Sequence, residues 1–250
     1  PINLGLLLPH SSLRKQIGLI DKYKLSTDEK VDKRSKIAEK LLNEGLLGLS
    51  FGLRYVPGAD TREFSAIAKT AGSGNLLIAA HIRDDADMVF EALHEFVSIS
   101  KCGNIPIQVS HIGSMAAYGQ MEKFLSFIDE YRSQGINISS DCYPYDAFST
   151  SIGETTYDEG FLDRYQTNYS NIEISEGKYK NQRCTKQLFE ELRKNAPETI
   201  TIGHVMKEEE ITMALKHPNV MVASDGYLHG KQGHPRAAGT FPKAIGWLYK

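Results

Sequence analysis

Short apolar runs rich in β-branched residues alternate along the chain with longer amphipathic segments. This order is typical of parallel strands joined by helical crossovers, so it predicts an α/β fold. Most of the runs are continuously apolar, as expected for strands that are covered on both faces. Seven strands are predicted, over residues 2–8, 46–50, 76–81, 105–111, 136–142, 199–203 and 220–225.

The segment between the first two predicted strands carries helix signals at both ends. Ser26 and Glu29 have the spacing of a capping box, and Gly45 stands where a left-handed C-terminal cap is expected. Comparable amphipathic segments that end at Gly103 and Gly135 predict two further helices. The repeating unit is therefore strand, loop, helix, glycine and strand.

One long segment interrupts this repeat. Residues 143–197 are rich in Ser, Thr, Tyr, Asn and Glu and are only weakly periodic. Segments of this length inside a compact domain are usually lids, binding elements or disordered regions. We therefore predict a single domain over residues 1–250 with an insertion or lid at about 143–198.

Composition and charge narrow the possible partners. The 250 residues include 29 Lys+Arg and 31 Asp+Glu, for a net charge of −2. Without a basic run, neither nucleic acid nor an anionic membrane is an expected partner. No apolar run approaches the roughly 20 residues that span a bilayer. The three scattered cysteines, Cys102, Cys142 and Cys184, predict free thiols in a reducing compartment such as the cytoplasm.

Three predicted strands end in residues that can bind a metal or transfer a proton, namely His81, His111 and Asp225. Each alone has a structural interpretation, because strand-end histidines are often only hydrogen-bonded and an Asp before Gly is common in turns. However, His81 and His111 are one βαβ repeat apart, which predicts adjacent strands about 5 Å apart. Two imidazoles at that spacing reach one divalent ion, and a carboxylate could accept a proton from its bound water. The pattern predicts metal-assisted hydrolysis.

The other histidines form two groups. Three are interpreted as structural from their places beside Pro or within helical patterns: His10, His94 and His217. Three lie beyond the last two predicted strands, where a role near the strand ends stays open: His204, His229 and His234.

Five motifs, in register along the chain, resemble those of the N-acyl-D-amino-acid deacylases, or D-aminoacylases, of the amidohydrolase superfamily. They are GLLGLSFGLRYVPG (45–58), HIRDD (81–85), VSHIGS (109–114), SDCYPYDAFST (140–150), and SDG followed by GHPRAAGTFPKAIG (224–246). The resemblance covers residues 3–246 and is weakest over 155–197. It implies a TIM-type (β/α)8 metal-dependent hydrolase barrel. The implied activity is zinc-dependent hydrolysis of N-acyl-D-amino acids, with one or two zinc ions, to a carboxylate and a free D-amino acid.

The resemblance also implies roles for individual residues. His81 and His111 correspond to two zinc ligands, and Asp225 to the residue that contacts the metal and acts as general base and then acid. Substrate-carboxylate or oxyanion contacts are implied for Tyr55, Tyr143 and Tyr145. Arg83 and Arg236 are further candidates, since guanidinium suits a carboxylate, but each could equally form a structural ion pair.

The chain departs from the family pattern in several places. Many members carry a lysine that contacts the substrate carboxylate where this chain has Gly113, and often Glu where it has Asp85. The HxH motif of the first barrel strand, a bridging cysteine and a small β-domain are absent from the sequence. The resemblance therefore implies an incomplete barrel, a central part of a longer chain with about six of eight strands, starting near the third.

Two alternatives stay open. A cyclic-amide amidohydrolase, similar to hydantoinase or dihydropyrimidinase, shares the strand-end histidines and aspartate, although the YPY and HPR…GTFP motifs argue against it. A non-catalytic barrel fragment is the second alternative, because two histidines and one aspartate leave a zinc ion under-coordinated. The expected partner is a small N-acyl-D-amino acid, and the oligomeric state is not predicted.

Overall fold

The computed structural model describes residues 4–72, 76–101, 105–229, 232–233 and 236–248. The chain divides into two compact units. The first contains Pro1–Ser110 and Ser126–Ser140, and the second contains His111–Leu125 and Asp141–Lys250. Parallel strands alternate with helices in the first unit, so the prediction of an α/β fold is confirmed.

The first unit is built on a parallel sheet with the strand order β1-β2-β3-β4-β5. Its strands are β1 (Leu8–Pro9), β2 (Gly48–Gly52), β3 (Leu77–His81), β4 (Ile107–Val109) and β5 (Ile138–Cys142), of which the last two residues belong to the second unit. The connecting helices are α1 (His10–Gln16), α2 (Asp28–Asn43), α3 (Thr61–Gly72) and α4 (Val89–Lys101). Two more helices follow β4, namely α5 (Gly113–Ala116) and α6 (Met121–Ser133).

The second unit contains a separate antiparallel sheet. Its strands are β6 (Phe148–Ser151), β7 (Ile172–Ile174) and β8 (Ile200–Gly203), with β8 in the centre. The remaining elements are α7 (Phe161–Arg164), α8 (Lys186–Asn195), α9 (Glu208–Lys216), β9 (Val220–Val222), the β10 (Leu228–His229) and β11 (Gln232–Gly233) pair, and α10 (Thr240–Leu248). Directly after β9, the Ala223 N–H donates to the carbonyl oxygen of Cys142 in β5.

The prediction of a parallel-sheet strand at residues 199–203 is wrong in its pairing. A strand forms there, but β8 pairs antiparallel with β6 and β7 from the polar segment that precedes it. Thr201, which is fully buried, explains this placement, because its hydroxyl donates to the Thr150 carbonyl and lies 2.8 Å from the Tyr157 hydroxyl. A short apolar run does not by itself distinguish parallel from antiparallel pairing.

The start of α2 also differs from the sequence prediction. The helix begins at Asp28 after Thr27, and Ser26 makes no capping bond to it. Instead, the Ser26 hydroxyl accepts a hydrogen bond of 2.7 Å from the buried guanidinium of Arg34. At the other end, Gly45 has φ +108 and its N–H donates to Leu42, so the predicted left-handed cap is confirmed.

Each unit has its own core. In the first, Phe51 of β2 packs against Phe64 of α3, with ring centroids 4.4 Å apart, and Phe64 stacks with Phe96 of α4. In the second, Phe189 of α8 contacts both Tyr157 and Phe161 at centroid distances of 5.7 and 5.2 Å. Aromatic packing of this kind adds to the free energy from apolar burial.

Some sequence predictions concern residues outside those described. These are the beginning of the first strand at residues 2–3, the cap at Gly103, and the positions of Cys102, His234 and the His229 side chain. In the described part of the chain, no helix combines the length and apolar character needed to cross a membrane.

Candidate active site

In the first unit, His81 is the last residue of β3 and is held against Tyr55. Their rings meet edge to face with centroids 4.7 Å apart, and the His81 carbonyl accepts a hydrogen bond from the Leu53 N–H. The guanidinium of Arg83 points to Glu95 of α4, with two nitrogen–oxygen distances of 2.8 and 2.9 Å. This bidentate ion pair matches the structural alternative that the sequence left open for Arg83.

In the second unit, His111 follows β4 with an unusual backbone conformation. Its φ of +39 lies in the left-handed region, which non-glycine residues adopt uncommonly, although Asn, Asp and His do so more often than others, and which costs about 1–3 kcal/mol. Buried Asp141, in β5, supports this turn from both its side chain and its main chain. Its Oδ1 accepts the His111 N–H at 2.7 Å, and its carbonyl accepts the Ile112 N–H at 2.8 Å.

Ser114 in α5 contacts both the ring and the main chain of His111. Its Oγ donates to the His111 carbonyl at 3.0 Å and lies 2.8 Å from Nδ1 of the same residue. A hydroxyl has one hydrogen, so when that hydrogen goes to the carbonyl, Oγ accepts from a protonated Nδ1. The lone pair of the neutral imidazole is then on Nε2, the form in which histidine binds a metal.

Asp225, just after β9, forms an ion pair of 2.8 Å with Arg236. Asp225 also has a positive φ, +47, so two of the three predicted strand-end residues have left-handed backbones. The Arg236 guanidinium lies over the Tyr143 ring, 4.2 Å from its centroid, and donates to the Ser149 carbonyl. Burial raises the pKa of Tyr143 to about 12, against the opposing effect of the Arg236 charge. Tyr143 therefore remains a neutral phenol.

Tyr145 lies next to this cluster. Its ring centroid is 6.4 Å from that of Tyr143, and its hydroxyl donates to the Ala238 carbonyl. The ammonium of Lys243 in α10 lies 4.2 Å from the Tyr145 ring centroid and 4.6 Å from that of Trp247. The segment from Arg236 to α10 thus contacts both tyrosines of the YPY motif.

Gly113, the position where the family often has lysine, is closely surrounded. A Cβ there would lie 2.6 Å from Ile211 Cδ1 and 3.2 Å from Cys142 Sγ. The Cys142 thiol is itself buried, and burial raises its pKa to about 12. At neutral pH it is therefore not the thiolate that metals bind.

The structure thus places the site residues of the sequence prediction in two sets. Tyr55, His81 and Arg83 belong to the first unit, and the others to the second, where Asp225, Arg236 and Tyr143 are in contact and the His111 and Tyr143 rings are 6.5 Å apart. Within the described ranges, no group of three or more His, Cys, Asp and Glu side chains is close enough to hold a metal ion. The prediction that the strands ending at the two histidines are neighbours is confirmed, because β3 pairs with β4.

Sequence reasoning did not assign roles to Asp141 and Ser114. Both lie inside the motifs that carry the family resemblance, SDCYPYDAFST and VSHIGS. Their function depends on the turn after β4, which strand and helix patterns do not reveal.

Of the other histidines, His10 is fully buried and its Nε2 lies 2.8 Å from Glu63, which supports its structural interpretation. His94 contacts the Tyr131 hydroxyl on the surface, and His204 pairs with Glu173 at 3.0 Å. Each of these contacts joins the histidine to another element of its own unit.

Strand ends that carry histidines and an aspartate are typical of metal-dependent amidohydrolases. No family model matches the chain. The chain is 27% identical to a D-aminoacylase and to an N-acyl-D-glutamate deacylase, both from Alcaligenes xylosoxydans xylosoxydans, over 98% of its own length and 51% of theirs. The crystal structure of N-acyl-D-glutamate deacylase from Bordetella bronchiseptica, complexed with zinc and a phosphonate mimic of the tetrahedral intermediate, superimposes with a TM-score of 0.81. That match has 28% identity and covers 96% of this chain and 52% of the other.

The homologues of this chain are therefore deacylases of N-acyl-D-amino acids, and the family resemblance of its motifs is confirmed. The chain spans about half the length of the relatives that it matches.

Proposed function

We propose that the protein hydrolyses the amide bond of N-acyl-D-amino acids, releasing a carboxylate and a free D-amino acid. The observation that carries this proposal is a pair of contacts made by Arg236, an ion pair with Asp225, which follows β9, and a ring contact with Tyr143, which follows β5. It combines a carboxylate that can accept a proton with a guanidinium and a phenol that can bind an anionic substrate. The homology to deacylases over nearly the whole chain supports the same reaction.

Arg236 and Tyr143 are the proposed contacts for the substrate carboxylate, with Tyr145 and Tyr55 completing the substrate contacts. The guanidinium presents a planar fork that suits a carboxylate, and the aromatic face beneath it fixes its plane. Arg83 is the alternative cation. Its bidentate contact with Glu95 supports Arg236 as the stronger candidate.

The donor set suits zinc in kind, although the described residues do not complete a site. His81 and His111 would supply imidazole nitrogens, with Asp225 as a carboxylate donor, and Ser114 leaves the His111 lone pair on Nε2. Within the described ranges, no three such donors lie close enough together to hold a metal ion. One or two bound zinc ions would polarise the substrate carbonyl and lower the pKa of a water molecule.

Asp225 is the proposed proton carrier. Its carboxylate accepts the proton of the attacking water and returns it to the amine nitrogen as the carbon–nitrogen bond breaks, so the base of the first step is the acid of the second. Arg236, now paired with Asp225, can shift to the substrate carboxylate, which carries the same charge.

We extend the proposal to the fold and its setting. The parallel sheet of the first unit is proposed to form part of a (β/α)8 barrel, with residues 143–198 as an insertion or lid. The strands of this segment, β6 and β7, form a separate antiparallel sheet with β8, which supports the proposed insertion. The free thiols of Cys142 and Cys184 favour a reducing compartment such as the cytoplasm.

The test is Asp225→Asn in the full-length protein, assayed on N-acyl-D-amino acids and on cyclic amides such as hydantoins. Loss of the proton acceptor is expected to lower kcat by about 10²–10⁴-fold. Asp163→Asn, an exposed aspartate of α7, is the matched control and should retain full activity. Turnover of Asp225→Asn within a few-fold of wild type contradicts the proposal. Activity of the wild type only on cyclic amides favours the hydantoinase alternative, and no activity on either class favours a non-catalytic protein.

A further inference from the structure

His111 is held by two residues that have no role in the proposed chemistry. Asp141 binds the backbone of His111 and Ile112, and Ser114 binds the ring and the carbonyl of His111. All belong to the second unit, and the two supporting side chains are at most 8% exposed. Resting on the proposed function, we infer that Asp141 and Ser114 are positioning residues that fix His111 as a ligand through its Nε2 atom.

The backbone of His111 has a positive φ. A non-glycine residue keeps such a conformation only when its surroundings impose it. Asp141 imposes it from β5, because one residue accepts two consecutive N–H groups, one with its carboxylate and one with its carbonyl. As β5 neighbours β4, this anchor is part of the sheet itself and not of a loop.

The ring part concerns the tautomer. Without a partner at Nδ1, a neutral histidine in water favours the proton on Nε2, which would occupy the proposed metal-binding atom. The Ser114 hydroxyl gives its own hydrogen to the His111 carbonyl and so can only accept from Nδ1. Hydrogen bonds of this kind to the second nitrogen of a metal-binding histidine typically change metal affinity by about 10–100-fold.

The first measurement is the His111 tautomer in the metal-free full-length protein, by ¹H–¹⁵N NMR of protein labelled at histidine. The His111 signals are assigned by their loss in His111→Gln. The wild type should carry its proton on Nδ1, and Ser114→Ala should shift the proton to Nε2. Ser114→Thr, which keeps a hydroxyl, should retain the wild-type tautomer.

The second measurement is zinc affinity by competition with a chelator. We expect Ser114→Ala to weaken zinc binding by about 10–100-fold and Ser114→Thr to stay within about threefold of wild type. Ser175→Ala is the matched control, because the Ser175 hydroxyl also donates to a carbonyl in the same unit, at 2.9 Å, without contacting His111. Asp141→Ala should weaken binding, and Asp141→Asn, which keeps an acceptor oxygen, should weaken it less.

An unchanged tautomer together with zinc affinity within twofold of wild type in Ser114→Ala overturns the inference. If Asp141→Ala does not fold, the Ser114 series alone decides. A wild-type protein that binds no zinc and hydrolyses no substrate, but shows a Ser114-dependent tautomer, overturns the proposed function and leaves the positioning of His111 supported.

Discussion

The side chains around Gly113 restrict which residues can occupy this position. A side chain added here meets Ile211 Cδ1 and Cys142 Sγ beside the α carbon, so it fits only if these neighbours shift. The family resemblance associates this position with a lysine that contacts the substrate carboxylate. Without it, either another cation such as Arg83 or Arg236 binds that carboxylate or the substrate differs, and Arg236 is the one that we propose.

We expect Gly113→Lys to destabilise the protein instead of restoring the family pattern. Overpacking beside Ile211 and Cys142 should lower the free energy of unfolding by about 1–3 kcal/mol, and Gly113→Ala should lower it less. Urea denaturation measures both. The control is Gly246→Ala, where the added Cβ meets no atom within 4 Å and should be neutral or mildly stabilising. A Gly113→Lys variant as stable as wild type contradicts the tight packing.

At this scale the sequence predicted candidate site residues but not what they touch. His81, His111 and Asp225 were recognisable because strand ends are defined by apolar runs. The support from Asp141 and Ser114 was not, since it depends on a left-handed residue at position 111 that no local pattern announces. The ion pair of Arg83 with Glu95 likewise joins residues whose pairing only the folded helix α4 establishes.

At the level of elements, a buried charged network joins the first three helices. Glu63 of α3 lies between Arg14 of α1 and Arg34 of α2, with nitrogen–oxygen distances of 2.7 Å to each, and also contacts His10. Burial alone would raise the pKa of Glu63, but the hydrogen bonds from His10 and Ser26 and the charges of His10 and Arg14 lower it to about 2. Burial lowers the pKa of His10 below 6.5, against the raising effect of Glu63.

This network makes stability depend on pH in a defined direction. A histidine with a lowered folded-state pKa binds its proton more readily when unfolded, so stability falls as the pH drops below about 6.5. Glu63, with its lowered pKa, adds a second loss as the pH falls from 4.5 toward 2. We expect the thermal midpoint to decrease by at least about 3 °C between pH 7 and pH 5.

The His10 contribution can be isolated by mutation. His10→Gln should flatten the decrease in thermal midpoint between pH 6.5 and pH 5, measured by calorimetry, even if it lowers the midpoint overall. His94→Gln, an exposed histidine in α4, should leave the pH profile unchanged. An identical slope in His10→Gln and wild type would show that His10 is not the group responsible.

The same network explains why the α2 start was predicted one residue too early. Ser26 and Glu29 have the right spacing for a capping box, but the Ser26 hydroxyl accepts hydrogen bonds from the buried guanidiniums of Arg34 and Arg14 instead. The prediction of parallel pairing for β8 was wrong for a related reason, because tertiary contacts decide whether a strand pairs in parallel or antiparallel. Element types were predictable, whereas their partners depended on long-range contacts.

For the whole molecule, parallel strands joined by helices were predicted from the alternation of strands and helices, and the parallel pairing of β1 to β5 confirms them. The chain nevertheless matches about half of each deacylase relative. The described residues bring no three metal donors together, so metal binding is a property to be tested on the full-length protein.

Removing metal from the full-length protein is expected to abolish deacylation while leaving the fold largely intact. Dialysis against a chelator should reduce kcat by at least about 100-fold, because the metal-activated water is lost, and added zinc should restore kcat. Metal content by mass spectrometry and far-UV circular dichroism accompany the assay. Full activity with less than about 0.1 metal ion per chain would exclude zinc-dependent hydrolysis.

The left-handed backbones of His111 and Asp225 have a consequence for protein engineering. Glycine adopts positive φ without steric cost, so either residue is one that a selection for heat resistance alone would tend to replace. Because positions 111 and 225 carry the proposed metal ligand and proton carrier, a library enriched only for thermal tolerance is expected to drift toward well-folded variants without the proposed activity. Stabilising this protein for use calls for holding positions 111 and 225 constant and seeking gains elsewhere.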